Sequence, residues 1–416
     1  MLINYFKLTI KVLLRRKFFT GVSLFAISFT LMVLIVATSL LDHLFGPHEP
    51  EQFADRSVGV FEVRATKHHG ENNISQSSGF GGYYLLKTLV EPMQTPEMKT
   101  FATFTSSTYS YNHGEKIKIY FKHVDPNFWK IFNIRLLEGN YLTTDDETQA
   151  RPVIVINENT AKKFFGRESA LGKIIEFNGI RFTVVGVAEN VPFMRQVPFS
   201  DVWAPISTLP NISQNRDIVG RFTTVLVGKS KDDLPAIRQE FEEQVAKFTF
   251  PDDSFDEIKT KLETPFEFVS RVLTDQQSKD DQSGLFLTIL ILIAVLFMLL
   301  PTINLININV SRIYERSSEI GVRKSFGASS YQLINQFLVE NIIITFFGGL
   351  IGIVLSALVL EMINQANWIP YSTLSINFRI FFTGLTMTVF LGIISGVYPA
   401  WKMSRLNPVQ ALKGTR

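Results

Sequence analysis

Four long stretches without a charged residue constrain this 416-residue chain more than any other feature. A helix needs about 20 mainly apolar residues to cross the hydrocarbon core of a bilayer, and each stretch reaches that length. We therefore predict four transmembrane helices rather than buried helices of a large soluble enzyme. The uncharged stretches are Phe18–Leu41, Leu285–Val310, Asn341–Leu360 and Ile380–Trp401.

Composition agrees with a membrane protein and excludes several kinds of chemistry. Charged residues make up 19% of the chain, below the roughly 25% usual in soluble proteins. With no cysteine there is no disulfide framework, thiolate metal site or cysteine nucleophile. The net charge of +3 gives no reason to expect nucleic acid as a partner. The first apolar stretch exceeds a signal-peptide core, although cleavage after it stays an open alternative.

The distribution of Lys and Arg predicts the topology. Thirteen basic residues and only two acidic ones lie in residues 1–17, 311–335 and 402–416. Because short cytoplasmic segments are enriched in Lys and Arg, we expect these three on the cytoplasmic side of a multi-pass membrane protein. Residues 1–17 also have the pattern of an amphipathic helix at the membrane surface. The basic residues that ordinarily flank a transmembrane helix explain this pattern equally well.

The same topology places a 242-residue segment outside the cytoplasm, which is large enough for a domain. The predicted fold class is an α+β membrane protein with a two-lobed extracytoplasmic α/β domain between the first and second helices. The predicted order is segment 1–17, helix 18–41, domain 42–283 with a lobe inserted at about 121–220, helix 284–310, loop 311–335, helix 336–360, short outer loop 361–379, helix 380–401 and tail 402–416.

Local patterns in this domain predict several elements. The sequence predicts strands at 57–66, 99–108 and 153–157, and a short helix in NENTAKKFFG that ends at Gly166. An apolar stripe predicts a further helix after Asp233. Asn178-Gly179 predicts the turn of a β-hairpin, because both residues tolerate positive φ. The polar, Gly- and Ser-rich segment 68–82 predicts a mobile loop.

No catalytic or metal-binding pattern stands out. The segment Gly166–Lys173 resembles a phosphate loop, but it has five residues between its glycines where the motif has four, and Ile174 replaces the hydroxyl residue. The six histidines show no metal-ligand spacing. The acids Asp145, Asp146 and Glu147 indicate a solvated turn. We therefore predict no catalytic, cofactor or metal site in this chain.

The cytoplasmic segment Arg312–Ser330 alternates charged and apolar residues at helical spacing. This spacing is typical of a short helix parallel to the membrane, and from the residues alone a plain positive loop is equally possible. Gly321 and Gly327 favour a specific contact, because glycine weakens a helix and permits close approach of backbones.

Three stretches of sequence resemble the permeases of the MacB and FtsX type of ABC transporter. They are ERSSEIGVRKSFGASSYQLINQFLVENIII in the loop and third helix, YPAWKMSRLNPVQALKG at the C-terminus, and VIVINENTAKKFFGRESALGKIIEFNGIRFTVVGVAENVP in the domain. The order of one helix, a large domain and three helices is similar to that of the same family. The resemblance therefore extends over nearly the whole chain.

The resemblance implies a bacterial inner-membrane subunit whose cytoplasmic loop is a coupling helix on an ABC ATPase. The loop residues that match the family are Glu315, Arg316, Glu319, Ile320, Gly321, Arg323, Lys324, Phe326 and Gly327. Unlike MacB, this protein is expected to lack a fused N-terminal ATPase, and a separate ATPase is expected to bind the ATP and Mg²⁺. Further expected partners are an identical or related permease, membrane lipid, and a periplasmic adaptor or other envelope protein.

Small residues and a proline in the spans suggest how the helices pack. Gly348 with Gly352, and Gly392 with Gly396, permit close helix contact, and Pro301 is expected to kink the second helix. The absence of central charged residues favours force transmission over a polar pore. We therefore expect a permease that exports or extracts a peptide, lipoprotein or amphiphile. The alternatives are a membrane-anchored regulator of an extracytoplasmic enzyme and a membrane-bound enzyme.

Overall fold

The computed structural model describes residues 17–46, 48–69, 73–112, 114–274, 283–315, 330–366, 368–372, 374–376, 381–383, 385, 386, 389, 390 and 393. The chain divides into two compact units. The helical unit contains the residues up to Asp42, Leu285–Ala366 and the residues from Leu374 onward. The α/β unit contains His43–Gly284 together with the short segment Asn367–Thr373.

The helices and strands are as follows. In chain order, the helices are α1 (Lys17–Phe45), α2 (Tyr83–Val90), α3 (Phe128–Ile131), α4 (Thr144–Thr148), α5 (Glu158–Phe165), α6 (Leu234–Ala246), α7 (Pro265–Thr274), α8 (Ser283–Glu315) and α9 (Ser330–Gln365). The strands are β1 (Ser57–Val60), β2 (Val63–His68), β3 (Ile74–Gly81), β4 (Met98–Thr103), β5 (Ser106–Asn112), β6 (Glu115–Val124), β7 (Leu136–Gly139), β8 (Val153–Asn157), β9 (Ile174–Phe177), β10 (Ile180–Ala188), β11 (Val202–Pro205), β12 (Val219–Gly220), β13 (Phe222–Val227) and β14 (Glu257–Thr260).

The helical unit contains apolar helices of membrane-spanning length. Within the described residues, Thr20–Phe45 and Asn341–Gln365 are long and apolar enough to cross a membrane, and α8 contains a shorter apolar segment, Ser283–Phe297. Large aliphatic side chains of α8, including Leu292 at 67% exposure, lie on its surface. The fourth predicted span lies almost wholly outside the described residues, so the count of four stays a prediction.

The described strands of the α/β unit form one mixed sheet in the order β14-β2-β3-β13-β4-β6-β11-β8-β10-β7. Strand β1 adds to β13, β12 to β3, β5 to β6, and β9 to β10. The pairs β6–β11 and β8–β10 are parallel, whereas their neighbours are antiparallel. The fold is therefore a mixed α/β domain, as the sequence predicts.

Residues 104–221 form an insertion lobe in this sheet. The lobe leaves β4 and returns to β13 at two paired positions, Thr103 and Phe222. Its strands β5, β6, β11, β8, β10 and β9 follow one another by backbone pairing. These six strands form a ring. Its two end strands, β5 and β9, are joined by a hydrogen bond from Ser110 Oγ to the Glu176 carbonyl at 2.8 Å. We place the start of this lobe at residue 104, because β5 is the hairpin partner of β6; the predicted insertion at about 121–220 stays a prediction.

Three buried apolar clusters stabilise the α/β unit. The first packs α2 and α6 against β1 and β2, and its centre includes Leu86, Ile237 and Phe241. The second surrounds Trp129 and Trp203, whose rings are 5.6 Å apart. The third fills the ring of strands in the insertion lobe. Burial of this apolar surface is the main favourable contribution to the stability of the fold.

Several local predictions are confirmed and others are wrong. The strand at 153–157, the helix that ends at Gly166 and the Asn178-Gly179 hairpin are all present. The predicted strands at 57–66 and 99–108 are each interrupted by two unpaired residues. The predicted mobile loop 68–82 is wrong over most of its length, because Ile74–Gly81 is strand β3 and pairs with β2.

Candidate functional site

The predicted coupling loop lies mostly outside the described residues. Glu315 is the last residue of α8, and Pro301 lies within that helix. The members outside the described residues are Arg316, Glu319, Ile320, Gly321, Arg323, Lys324, Phe326 and Gly327, and the same holds for Gly392 and Gly396. Their coupling and packing roles, and the hinge role of Pro301, stay predictions.

Gly348 and Gly352 of α9 lie against α1. A Cβ atom at Gly348 would come within 2.7 Å of Ile27 Cγ2, and one at Gly352 would come within 3.0 Å of Leu31 Cβ. Ile27 and Leu31 also belong to the buried cluster of the helical unit. The glycines therefore allow the two helices to approach more closely than any larger residue would permit.

The residues that resembled catalytic or binding motifs have ordinary structural contacts. Gly166–Lys173 joins α5 to β9, and Lys173 Nζ forms an ion pair with Glu168 at 2.5 Å. Asp146 closes a capping box with Thr143 at the start of α4 and is buried, so the predicted solvated turn is wrong there. In the part of the chain that the structure describes, no three His, Asp or Glu side chains group as a metal site.

Arg195 holds the first residues of the α/β unit and is 3% exposed. Its Nη1 donates to Glu51 Oε2 at 2.9 Å, and its Nη2 donates to the Gly46 carbonyl at 2.8 Å. Burial raises the pKa of Glu51, and the positive charge of Arg195 opposes this rise. Removing one partner of a buried ion pair costs about 3–5 kcal/mol. The backbone just after α1 is therefore firmly fixed.

Lys122 of β6 belongs to the same cluster. The side chain is fully buried, and its Nζ donates to the backbone carbonyls of Gln196, at 3.3 Å, and Val197. Burial lowers the pKa of Lys122 to about 7, and the negative charge of Glu51 opposes this fall. The loop that carries Arg195 is thus held by the contacts of Arg195 itself and by the bonds from Lys122 to the next two residues. We call Glu51, Lys122 and Arg195 the N-terminal cluster.

A second cluster holds α7, the last helix before α8. Thr264 and Glu267 form a capping box, and Arg238 of α6 donates to both Glu267 oxygens at 2.9 and 2.7 Å. Further along α7, Arg271 donates from Nε and Nη2 to Glu263 at 2.8 and 2.7 Å. The Arg271–Glu263 contact is bidentate, and contacts of this kind are strong and directional. We call Arg238, Glu263, Glu267 and Arg271 the C-terminal cluster.

Members of both clusters line one cavity of about 330 Å³ within the α/β unit. They are Glu51 and Arg195 of the N-terminal cluster and Arg238 and Glu267 of the C-terminal cluster. At its rim the rings of Phe45 and Phe266 pack edge to face at 5.1 Å. The segments by which the chain enters and leaves the domain therefore meet, and arginine–carboxylate contacts hold both.

Sequence reasoning did not single out either cluster. The partners Arg195 and Glu51 are separated by 144 residues, and no local spacing pairs them. Only Thr264-Pro265 with Glu267 carries a local signal, since a hydroxyl cap, a proline at the first helical position and an acid three residues after the cap mark a helix start. The arrangement contains no nucleophile paired with a base, and its contacts hold backbone segments in place.

Two models of known protein families match this chain. Residues 20–244 match the family model described as MacB-like periplasmic core domain, and residues 291–408 match the model of the FtsX-like permease C-terminal. The chain belongs to the MacB/FtsX family of ABC transporter permeases. The α/β unit is accordingly the extracytoplasmic domain of a membrane permease.

The individual relatives have low sequence identity to this chain. The chain is similar to the uncharacterised ABC transporter permease YknZ of Bacillus subtilis, with 26% identity over 75% of this chain and 74% of that protein. It is 27% identical to the macrolide export ATP-binding/permease protein MacB of Pasteurella multocida over 70% of this chain, and it spans only 42% of that relative's length. The crystal structure of the periplasmic region of MacB from Actinobacillus actinomycetemcomitans aligns with a TM-score of 0.39 at 16% identity, covering 54% of this chain and 96% of that one.

Proposed function

We propose that this chain is the permease subunit that transmits an ATP-driven conformational change from an ABC ATPase to its α/β unit. The movement would export or extract a peptide, lipoprotein or amphiphile at the outer face of the membrane. In this proposal the ATPase binds the ATP and Mg²⁺, and residues 311–335 rest on it. Two permease subunits, identical or related, would work as a dimer.

The observation that carries this proposal is the fixation of both ends of the α/β unit. Arg195 bonds the carbonyl of Gly46 directly after α1, and Arg238 and Arg271 hold α7 shortly before α8. We expect the largely buried ion pairs of Arg195 and Arg271 to pass a displacement of the helices into the α/β unit. The uncharged spans also support a lever rather than a pore for polar solutes.

Charge reversal in the coupling loop tests the proposal. We expect Arg323→Glu with Lys324→Glu to lower coupled ATPase activity by about tenfold or more, since like charges at an interface cost several kcal/mol. The measurement is the ATPase rate of the reconstituted complex, together with recovery of the ATPase on the tagged permease. Unfolding of the α/β unit should be unchanged, because the substituted residues lie in the cytoplasmic loop.

A matched control places the same charge change in the tail, as Lys402→Glu with Arg405→Glu. We expect this control to retain most of the activity, because the tail is not the coupling segment. Normal ATPase recovery and normal activity in the loop variant would contradict the coupling assignment. Stimulation of the wild-type ATPase by a protein partner, and by neither peptides nor lipids, would instead favour the regulatory function.

A further inference from the structure

The loop after α9 is tied at its base within the helical unit. The side-chain amide of Asn364 donates to the Leu374 carbonyl, and the Leu374 N–H donates back to Asn364 Oδ1, both at 2.9 Å. Ser39 of α1 donates to the neighbouring Ser375 carbonyl at 2.6 Å. These bonds fix the two ends of the loop, which will therefore move with the helices that carry it.

The tip of the loop belongs to the α/β unit and is bonded to it through Tyr371. The phenol hydroxyl donates to Asp201 Oδ1 at 2.9 Å and accepts from the side-chain amide of Asn159 at 2.7 Å. The Phe193 N–H adds a backbone bond to the Pro370 carbonyl at 3.0 Å. All of these partners lie in the insertion lobe. The loop thus meets the lobe through side-chain bonds to Asn159 and Asp201 and a backbone bond to Phe193, two residues from Arg195.

Asp201 makes the contact specific. Its carboxylate is 2% exposed and also accepts from Asn157 Nδ2 and from the Tyr120 N–H, each at 2.9 Å. No cation is paired with it in the part of the chain that the structure describes, so the hydrogen bonds alone compensate its buried charge. Losing one donor from such a carboxylate is costly. Burial, with the charge of Asp201, also raises the pKa of Tyr371 to about 12.

The backbone of Tyr371 is strained. Its φ of 59° lies in the left-handed region, which a bulky residue rarely occupies. Such a conformation persists when the surrounding contacts determine it, and residues of this kind concentrate at functional positions. Here the two bonds of the hydroxyl and the adjacent Pro370 bond supply those contacts.

We propose that Tyr371 is a positioning residue that makes residues 364–375 a second mechanical link, which moves the insertion lobe together with the last two spans. The inference rests on the proposed function and adds to it a separate route for force. The N-terminal cluster holds the chain after α1 through Arg195, and the C-terminal cluster holds α7. The Tyr371 link instead starts from the loop after α9 and contacts the insertion lobe at Asn159 of α5 and at Asp201, directly before β11.

The test uses the full chain with its ATPase in lipid nanodiscs and needs no transport substrate. A nitroxide on Ser107→Cys, an exposed site of the insertion lobe, reports the ATP-dependent change in the spin-label spectrum. The chain has no native cysteine, so labelling is specific. We expect Tyr371→Phe to reduce the spectral change by about fivefold or more, the low end of usual coupling between sites. Basal ATPase activity should stay within about twofold of wild type.

Rescue separates a mechanical role from a merely structural one. In the Tyr371→Phe background without the label site, we expect stimulation of the ATPase rate by added peptide or lipid to be lost, with the basal rate unchanged. A disulfide between Phe193→Cys and Pro370→Cys should restore this stimulation when oxidised and lose it again when reduced. Tyr111→Phe is the matched control, since Tyr111 is 70% exposed on the same lobe. We expect that control to retain the full spectral change.

The outcomes are distinguishable. A full spectral change in Tyr371→Phe, with loss of the change in Arg323→Glu/Lys324→Glu, would overturn the Tyr371 link and leave the proposed function standing. A wild-type complex whose lobe gives no ATP-dependent change, with normal activity in the loop variant, would overturn both. Failure of the oxidised disulfide to restore coupling would also count against the link, because the covalent bond replaces the contact that Tyr371 makes.

Discussion

Lys122 shows what alternation along a strand can and cannot predict. On β6 the residues Lys116, Lys118, Tyr120 and Lys122 share one face, and Ile117, Ile119 and Phe121 share the other. Once the strand is known, alternation alone would place Lys122 on the solvent side with Lys118. The structure buries it because the second apolar cluster covers the far end of that face, where Val124 also lies. Such a covering layer comes from distant segments and leaves no local pattern.

The buried lysine predicts a pH dependence of stability. Because the pKa of Lys122 is lowered to about 7 from 10.5, the unfolded chain binds one more proton than the folded chain between these values. The free energy of unfolding should therefore rise with pH by about 1.4 kcal/mol per unit in this window. We expect Lys122→Met to remove most of this slope between pH 7.5 and about 9.5.

The measurement is urea unfolding of the full chain in detergent, followed by the fluorescence of the buried Trp129 and Trp203. Lys118→Met on the exposed part of the same strand is the control and should keep the wild-type slope. Equal slopes in wild type and Lys122→Met would show that Lys122 is charged in the folded protein.

At the scale of elements, a helix or strand could be predicted from the sequence only where its own residues carry a local signal. Helix α5 was predictable because Asn157 caps its first turn and Gly166 ends it at positive φ. Strand β3 was missed because most of its side chains are exposed or half-buried, so it has no apolar alternation. What holds it is backbone pairing with β2 over six positions. The Tyr371 contact was beyond sequence reasoning for a related reason, since its partner Asp201 lies 170 residues away.

The contact between α1 and α9 gives a prediction about glycine. We expect Gly348→Val to destabilise the helical unit by about 1–3 kcal/mol, the usual cost of overpacking. A Cβ atom at this position would come within 2.9 Å of Ile27 Cβ, which cannot move without shifting α1. The measurement is the midpoint of unfolding in SDS titrations, followed by circular dichroism.

Gly21→Val in α1 is the matched control, because no atom lies within 4 Å of a Cβ at Gly21. Both variants introduce the same β-branched residue into a helix, so their difference isolates the packing contribution. A Gly348→Val midpoint no lower than that of Gly21→Val would mean that the two helices do not pack as described.

At the scale of the whole molecule, the charge asymmetry of the sequence predicts sidedness. We expect Ser107→Cys, exposed in the α/β unit, to react with a membrane-impermeant maleimide on intact spheroplasts. We expect Ser404→Cys in the basic tail to react only after the membrane is permeabilised, because the tail is predicted to be cytoplasmic. The introduced cysteine is the only one in the chain, so the maleimide labels that position alone. Labelling of Ser404→Cys in intact cells, or protection of Ser107→Cys, would reverse the topology.

The attachment of the insertion lobe has a consequence for how this architecture diversifies. Thr103 and Phe222 are partners in neighbouring strands, and the Phe104 N–H donates to the Arg221 carbonyl at 2.8 Å beside them. A lobe from another protein inserted between Thr103 and Phe222 would therefore begin and end on adjacent strands of the sheet. A chimera made there keeps the C-terminal cluster, but it must also retain Lys122, Arg195 and the partners of Tyr371, because these residues of the lobe make the other attachments described above.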